Sequence, residues 1–151
     1  MRLSRADIGF LLADVSHLMR RAMARRLNGS TLTFAQARAM VHLSRHEGIR
    51  QVELANLLEV QPITLARLLD QLDERDLIER RPDPADRRAH RLFLTAAAAP
   101  HLASLRQVAA AVRADVLRDI DDQEATIMLG VLAKMRDNLA ALTAAAAARD
   151  P

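Results

Sequence analysis

Asp83-Pro-Ala-Asp-Arg-Arg-Ala-His-Arg-Leu-Phe-Leu-Thr95 is the stretch on which the fold turns. Its first half is a turn crowded with charge. Its second half, Arg91-Leu92-Phe93-Leu94, is apolar and reads as a strand. Just upstream, Leu77-Ile78-Glu79-Arg80-Arg81 is a second short strand candidate. The pair reads as a hairpin with a loop of about nine residues. Such a hairpin has no core of its own and must lean on helices. Arg87 and Arg88 lie at its far end, flanked by Arg80, Arg81 and Arg91. A stiff hairpin that pushes arginines outward is suited to touching phosphate or entering a narrow groove.

The rest of the chain reads as helical. Half of the 151 residues are apolar, and the only aromatics are Phe10, Phe34 and Phe93. Abundant Ala with few aromatics favours close-packed helices over a large sheet. There is no cysteine, which excludes disulfides, thiolate metal sites and thiol redox chemistry. No signal-peptide pattern and no long apolar run are present, so a cytoplasmic protein is expected. Net charge is +3, and the basic excess lies in residues 1–95, on the hairpin's side of the chain. That bias is mild and does not by itself establish a nucleic-acid binder.

Upstream of the hairpin, Ser4 caps a first helix whose stripe runs through Ile8, Leu11, Leu12, Val15, Leu18 and Met19, and Asn28-Gly29 stops it. Thr33 to Gln36 is a capping box that opens a second helix, predicted to run to Glu47. A short third helix spans Gln51 to Leu58. Pro62 at a first helical position opens a fourth, running to about Arg75. Two short helices joined by a tight turn and followed by two strands give a helix-turn-helix with a wing. On the fourth helix Leu65, Leu69 and Leu72 share one face, and Thr64, Arg67 and Gln71 share the opposite one. An apolar back with an outer face of Gln, Thr and Arg is what a recognition helix needs to reach base edges.

Downstream, Thr95 is expected to cap a fifth helix, with a bend or late start at Pro100. Asp121 to Glu124 is a capping box for a sixth. Both helices are too long and too apolar for a small lobe to cover, and with the first helix they call for a partner. A symmetric homodimer supplies one and sets two recognition helices on one side.

These residues resemble the MarR/SlyA family of winged helix-turn-helix transcriptional regulators, over nearly the whole chain. The resemblance is carried by Leu32-Thr-Phe-Ala-Gln36, Val52-Glu-Leu-Ala55, Gln61-Pro-Ile-Thr-Leu-Ala-Arg67, Leu69-Asp-Gln-Leu72, Leu77-Ile-Glu-Arg80, and above all Asp83-Pro-Ala-Asp-Arg-Arg88 with Leu92-Phe-Leu-Thr95. It implies a mainly α fold with a small β-hairpin wing: a DNA-binding lobe over residues 33–95, and dimerisation helices over 1–30 and 96–148. It implies a homodimer on a near-palindromic operator, acting as a repressor that a small phenolic or aromatic acid relieves. The DNA-binding residues would be Arg50, Gln51, Gln61, Pro62, Thr64, Arg67, Gln71, Arg87, Arg88 and Arg91. Asp86 and Arg88 would form a wing ion pair, leaving Arg87 favoured over Arg88 for the minor groove. By position, His17, Arg21, Phe34 and Arg38 would line an effector pocket. The sequence departs from the family pattern at Glu59, where the turn often has Gly, and at Arg50, where a Ser or Thr cap is usual.

Other readings are weaker. His42 and His46 have the spacing of a metal-binding pair but no further clustered ligands, so no metal or other cofactor is expected. Arg20, Arg21, Arg25 and Arg26 read as a solvated face. No phosphate-cradling Gly loop and no nucleophile in a Gly turn is present, so an enzyme is not expected. The alternatives to an operator-binding regulator are a winged-helix protein-interaction or ligand-binding module and a metal-responsive regulator.

Overall fold

The computed structural model describes residues 4–147, apart from the side chains of Arg87, Ala146 and Ala147. The chain divides near Val112 into two compact units. In the first, Ser4 and Asp7 close a reciprocal box around a 3-10 turn, Arg5–Asp7, that leads into α1 (Ile8–Arg26). No residue of α1 is buried, and Phe10 is 80% exposed. The predicted capping box opens α2 (Phe34–Arg45): Thr33 Oγ1 accepts from the Gln36 amide at 3.2 Å, and Gln36 Oε1 accepts from the Thr33 amide at 2.9 Å.

The helix ends slightly short of Glu47, because Gly48 turns the chain. Its φ of 81° is a left-handed conformation that Gly adopts at little cost, and a Cβ there would meet the Phe93 ring at 3.4 Å. That turn delivers a strand the sequence reading missed, β1 (Ile49–Arg50). It leads directly into α3 (Gln51–Leu58), where the Arg50 amide donates to Glu53 at 2.9 Å. Glu53 thus satisfies the Arg50 amide, the half of a capping box that needs nothing from the Arg50 side chain. Glu59 is left-handed (φ 54°, ψ 44°), at a cost of about 1 kcal/mol for a residue with a Cβ. Pro62 opens α4 (Pro62–Asp73).

The hairpin is longer and tighter than expected. β2 (Ile78–Asp83) and β3 (Asp86–Leu94) extend through the charged stretch, and Pro84-Ala85 alone connect them. The sheet has three antiparallel strands in the order β1-β3-β2, with Ile49 opposite Leu92 and Ile78 opposite Leu94. The ladder is regular to Pro82 opposite His90, then shifts so that Asp83 faces Asp86. Arg87, Arg88 and Ala89 therefore fall between paired positions and form an irregular tip. Proline is tolerated at Pro82 because β2 is an edge strand with a bulge.

α5 (Ala98–Val116) begins only at Ala98, with Pro100 in its first turn. The Thr95 hydroxyl does not cap it but donates to the Asp76 carbonyl, tying the strand exit to the turn that follows α4. The core of this unit joins Met40, Leu43, Leu54, Leu65, Leu69, Leu72, Ile78 and Leu92, each no more than 1% exposed. Taken by itself, the second unit is dominated by α6 (Asp122–Ala147). Its predicted box is present, with Glu124 N to Asp121 Oδ1 at 2.7 Å and Asp121 N to Glu124 Oε2 at 3.1 Å. Ile127, Leu129, Leu139 and Leu142 of α6 are exposed.

Leu69 is the middle of the α4 anchor. Leu69→Ala should lower unfolding stability by about 2–5 kcal/mol through lost burial and the cavity left behind. Urea unfolding at fixed protein concentration checks this.

Candidate nucleic-acid interface

The candidate interface is built around α4, whose buried Leu65, Leu69 and Leu72 fix which face turns outward. Thr64 and Arg67 are exposed there, and Gln61 and Pro62 stand exposed at the helix start. The Gln61 side chain makes no capping bond. Gln71 is exposed but committed elsewhere: its Oε1 accepts from Gln36 Nε2 at 3.0 Å. Beside α4, a cleft of about 410 Å³ runs between the starts of α3 and α4 and the wing, lined by Arg50, Gln51, Val52, Pro62, Asp86, Arg88, Ala89 and His90. Most of the sequence-predicted contact residues are thus brought onto two adjoining features.

What holds the wing against the helices is a residue read from sequence only as part of a turn. Asp83 is 1% exposed. Its Oδ1 accepts from the Ala85 amide at 2.9 Å, which shapes the two-residue turn. Its Oδ2 accepts from Arg50 Nε at 2.7 Å and lies 3.3 Å from Arg91 Nε. Arg91 also donates to the Gly48 carbonyl at 3.2 Å. One buried carboxylate therefore joins the hairpin turn, β3 and the residue that opens α3. The Ala85 amide, then the Arg50 and Arg91 guanidiniums, hold its pKa below the usual carboxylate value against the opposing effect of burial. Arg50 and Arg91, expected simply as DNA contacts, are held in place, Arg50 by its Nε hydrogen bond to Asp83 and Arg91 by its bond to the Gly48 carbonyl and its charge beside Asp83.

A second brace ties β2 to α4. Arg80 forks between Asp73 and Asp70, both at 2.6 Å. Arg81 pairs with Glu79 and lies 4.2 Å over the Phe93 ring. The expected Asp86–Arg88 ion pair takes a different form: Asp86 Oδ1 accepts the backbone N–H of Arg88 at 3.0 Å. A carboxylate two residues back satisfies the turn backbone more readily than a guanidinium reaching round the tip. The side chain of Arg87, the favoured groove residue, lies outside the described residues.

The sequence model of the MarR family matches residues 32–90, from the start of α2 to the wing. The solved structure of transcriptional regulator PA3341 is 39% identical, with a TM-score of 0.76 over 87% of this chain and 97% of that one. The chain belongs to the MarR family. The MarR fold is shared with a regulator from Methanosarcina mazei Go1 (21% identity, TM-score 0.80, 91% of this chain and 99% of that one). It is shared also with a mutant E. coli MarR solved in complex with operator DNA (25% identity, TM-score 0.69, 85% and 92%). Members of the MarR family are transcriptional regulators rather than enzymes.

Away from the interface, a cavity of about 430 Å³ lies among α1, α2 and α5, walled by Leu12, Val15, Met19, Met23, Phe34, Ala37, Val41 and Leu105. Of the four expected pocket residues, Phe34 and Arg38 line it. His17 and Arg21 do not; Arg20 and His42 stand there instead. A helix turns by about 100° per residue, so a shift of one position along α1 changes the face. Burial, then the charges of Arg38, His46 and Arg45, lowers the His42 pKa. Among the described residues no cluster of three or more His, Asp or Glu could hold a metal ion. Among them, too, no helix is long and apolar enough to cross a membrane.

Asp83 yields a pH prediction. A carboxyl whose folded pKa is depressed contributes stability above its ordinary value, 3.8, and loses it as pH falls through the lower folded value. The melting temperature of the wild type should exceed that of Asp83→Asn by a constant margin from about pH 7 to 5. The margin should close below about pH 4, as thermal melts across that range would record.

Proposed function

We propose that this chain is a homodimeric, sequence-specific DNA-binding regulator, acting in the cytoplasm on a near-palindromic operator. The observation that carries the reading is the pairing of the exposed α4 face, Thr64 and Arg67, with a braced wing tip. Arg67 would reach base edges in the major groove, with Gln61, Pro62 and Thr64 beside it. Gln51, Arg88 and the remaining N–H groups of Arg50 and Arg91 would meet phosphate, and Arg87 would enter the flanking minor groove. Gln71 would act through Gln36 to hold the helix rather than as a principal contact.

Dimerisation is supported by the apolar side chains that α1 and α6 each leave exposed, among them Phe10, Leu18, Leu129 and Leu142. Residues 1–30 and 96–148 would join the two copies and set the spacing of their recognition helices. Repression relieved by a small ligand is the regulatory reading. The 430 Å³ cavity, apolar apart from Ser16, Arg20, Arg38 and His42, suits a small aromatic acid with its carboxylate on an arginine. Such a ligand would favour the helix spacing that misfits successive major grooves.

Sites selected from a random duplex pool, followed by anisotropy titration, test the reading. Arg67→Ala should relax sequence preference by about 1–3 kcal/mol at one base pair per half-site. Arg87→Ala should weaken binding to all sequences and flatten the salt dependence. Unchanged binding by both variants would sink the site assignment. An absence of binding at low salt would move the reading to a protein-interaction module.

A further inference from the structure

α4 carries an outward residue that the polar reading of its face passes over. Ile63 is 64% exposed, whereas Leu65, Leu69 and Leu72 on the same helix are wholly buried. At about 100° per residue it stands roughly 160° round the helix from Leu65. It therefore points away from the core more squarely than Thr64, which stands only about 100° from Leu65. It sits one turn ahead of Arg67 on the same face, four residues apart. The next outward position, Asp70, is occupied by Arg80. Beside Thr64, the free outward surface of α4 thus carries one branched apolar side chain followed by one arginine.

Single exposed apolar residues are ordinary on protein surfaces. Ile63 differs by its place, in the first turn of the helix proposed to enter the major groove, where base contacts of such helices concentrate. The choice of partners there is narrow. Phosphate oxygens and the acceptor atoms of guanine and adenine would lose water against Ile63 and gain no hydrogen bond. The thymine C5-methyl is the apolar group that the four bases present in this groove. Ile is stiff at χ1, so little rotamer freedom is lost on contact.

We propose that Ile63 is a specificity-determining residue that reads the C5-methyl of a thymine beside the base pair contacted by Arg67. The inference rests on the DNA-binding reading above and adds the base class to it. The side chain selects in two ways: it covers a methyl at a T·A pair, and it leaves a polar base edge unsatisfied at any other pair.

The test replaces thymines one at a time by deoxyuridine in a duplex selected by the wild-type protein, which removes only the methyl. At one thymine per half-site the wild type should lose about fourfold in affinity, the worth of one buried methylene-sized group. Ile63→Ala should bind the thymine and deoxyuridine duplexes equally, and Ile63→Val should restore most of the difference. Thermal melts should be the same for all three proteins, since Ile63 packs little against the core. The inference is overturned if no thymine-to-deoxyuridine change weakens the wild type, or if Ile63→Ala discriminates as well as the wild type does. Failure to select any duplex would instead overturn the DNA-binding reading, and this inference with it.

Discussion

A single buried carboxylate fixes the relation between the wing and the helix-turn-helix. Asp83 sits where a β-hairpin turn, a central strand and the start of α3 meet, and it holds a partner from each: the Ala85 amide, Arg91 and Arg50. A three-stranded sheet in which one strand has two residues is a weak structure by itself. Its apolar contacts, Ile78 and Leu92 on the core, fix only the root of the hairpin. Beyond Pro82 the strands carry almost nothing apolar, so charge must fix the rest. A charge removed from water is costly unless paired and hydrogen-bonded, which makes the paired arrangement the one the site tolerates.

The consequence is that the parts proposed to face DNA, drawn from different elements, share one frame. Arg80 locks β2 to α4 through Asp70 and Asp73, and Asp83 locks the wing to α3. Surface ion pairs alone contribute little. Here the pairs are made by arginines with fixed fork geometry, one of them to a fully buried partner, and they constrain direction as much as stability. A wing that moves with α4 would deliver both proposed contacts, major groove and flanking groove, at one setting. A change at the cavity beside Arg38 would be passed to the helix-turn-helix turn directly, since Arg38 donates to the Leu58 carbonyl at 3.3 Å.

Much of this was legible in the sequence, for identifiable reasons. Helix starts were readable because capping is local: Thr33 with Gln36, Asp121 with Glu124 and Pro62 each act within one turn. The apolar row of Leu65, Leu69 and Leu72 gave the inner face of α4 directly. β1 was not legible, because two residues carry no period and exist as a strand only by pairing with β3. The hairpin was underestimated because residues 80–91 are charged on both faces, which hides the alternation of a strand. Asp83 read as a turn residue because its partner Arg50 is distant in sequence. The two misplaced cavity residues, His17 and Arg21, each lie next to or near one that does line it, a phase error on α1. Ile63 was passed over because the outer face of α4 was read from its polar residues alone, although its helical phase already points it outward.

In the proposed complex, two copies of this chain present two recognition helices, each with its wing held alongside, to one face of a DNA duplex. Hydroxyl-radical footprinting combined with guanine-N7 methylation protection, on a selected duplex, reads both grooves at once. A two-fold symmetric footprint on one face of the duplex is expected: two major-groove segments about one helical turn apart, each flanked on its outer side by minor-groove protection. An asymmetric footprint over a single segment, or major-groove protection without the flanking minor-groove signal, would contradict it.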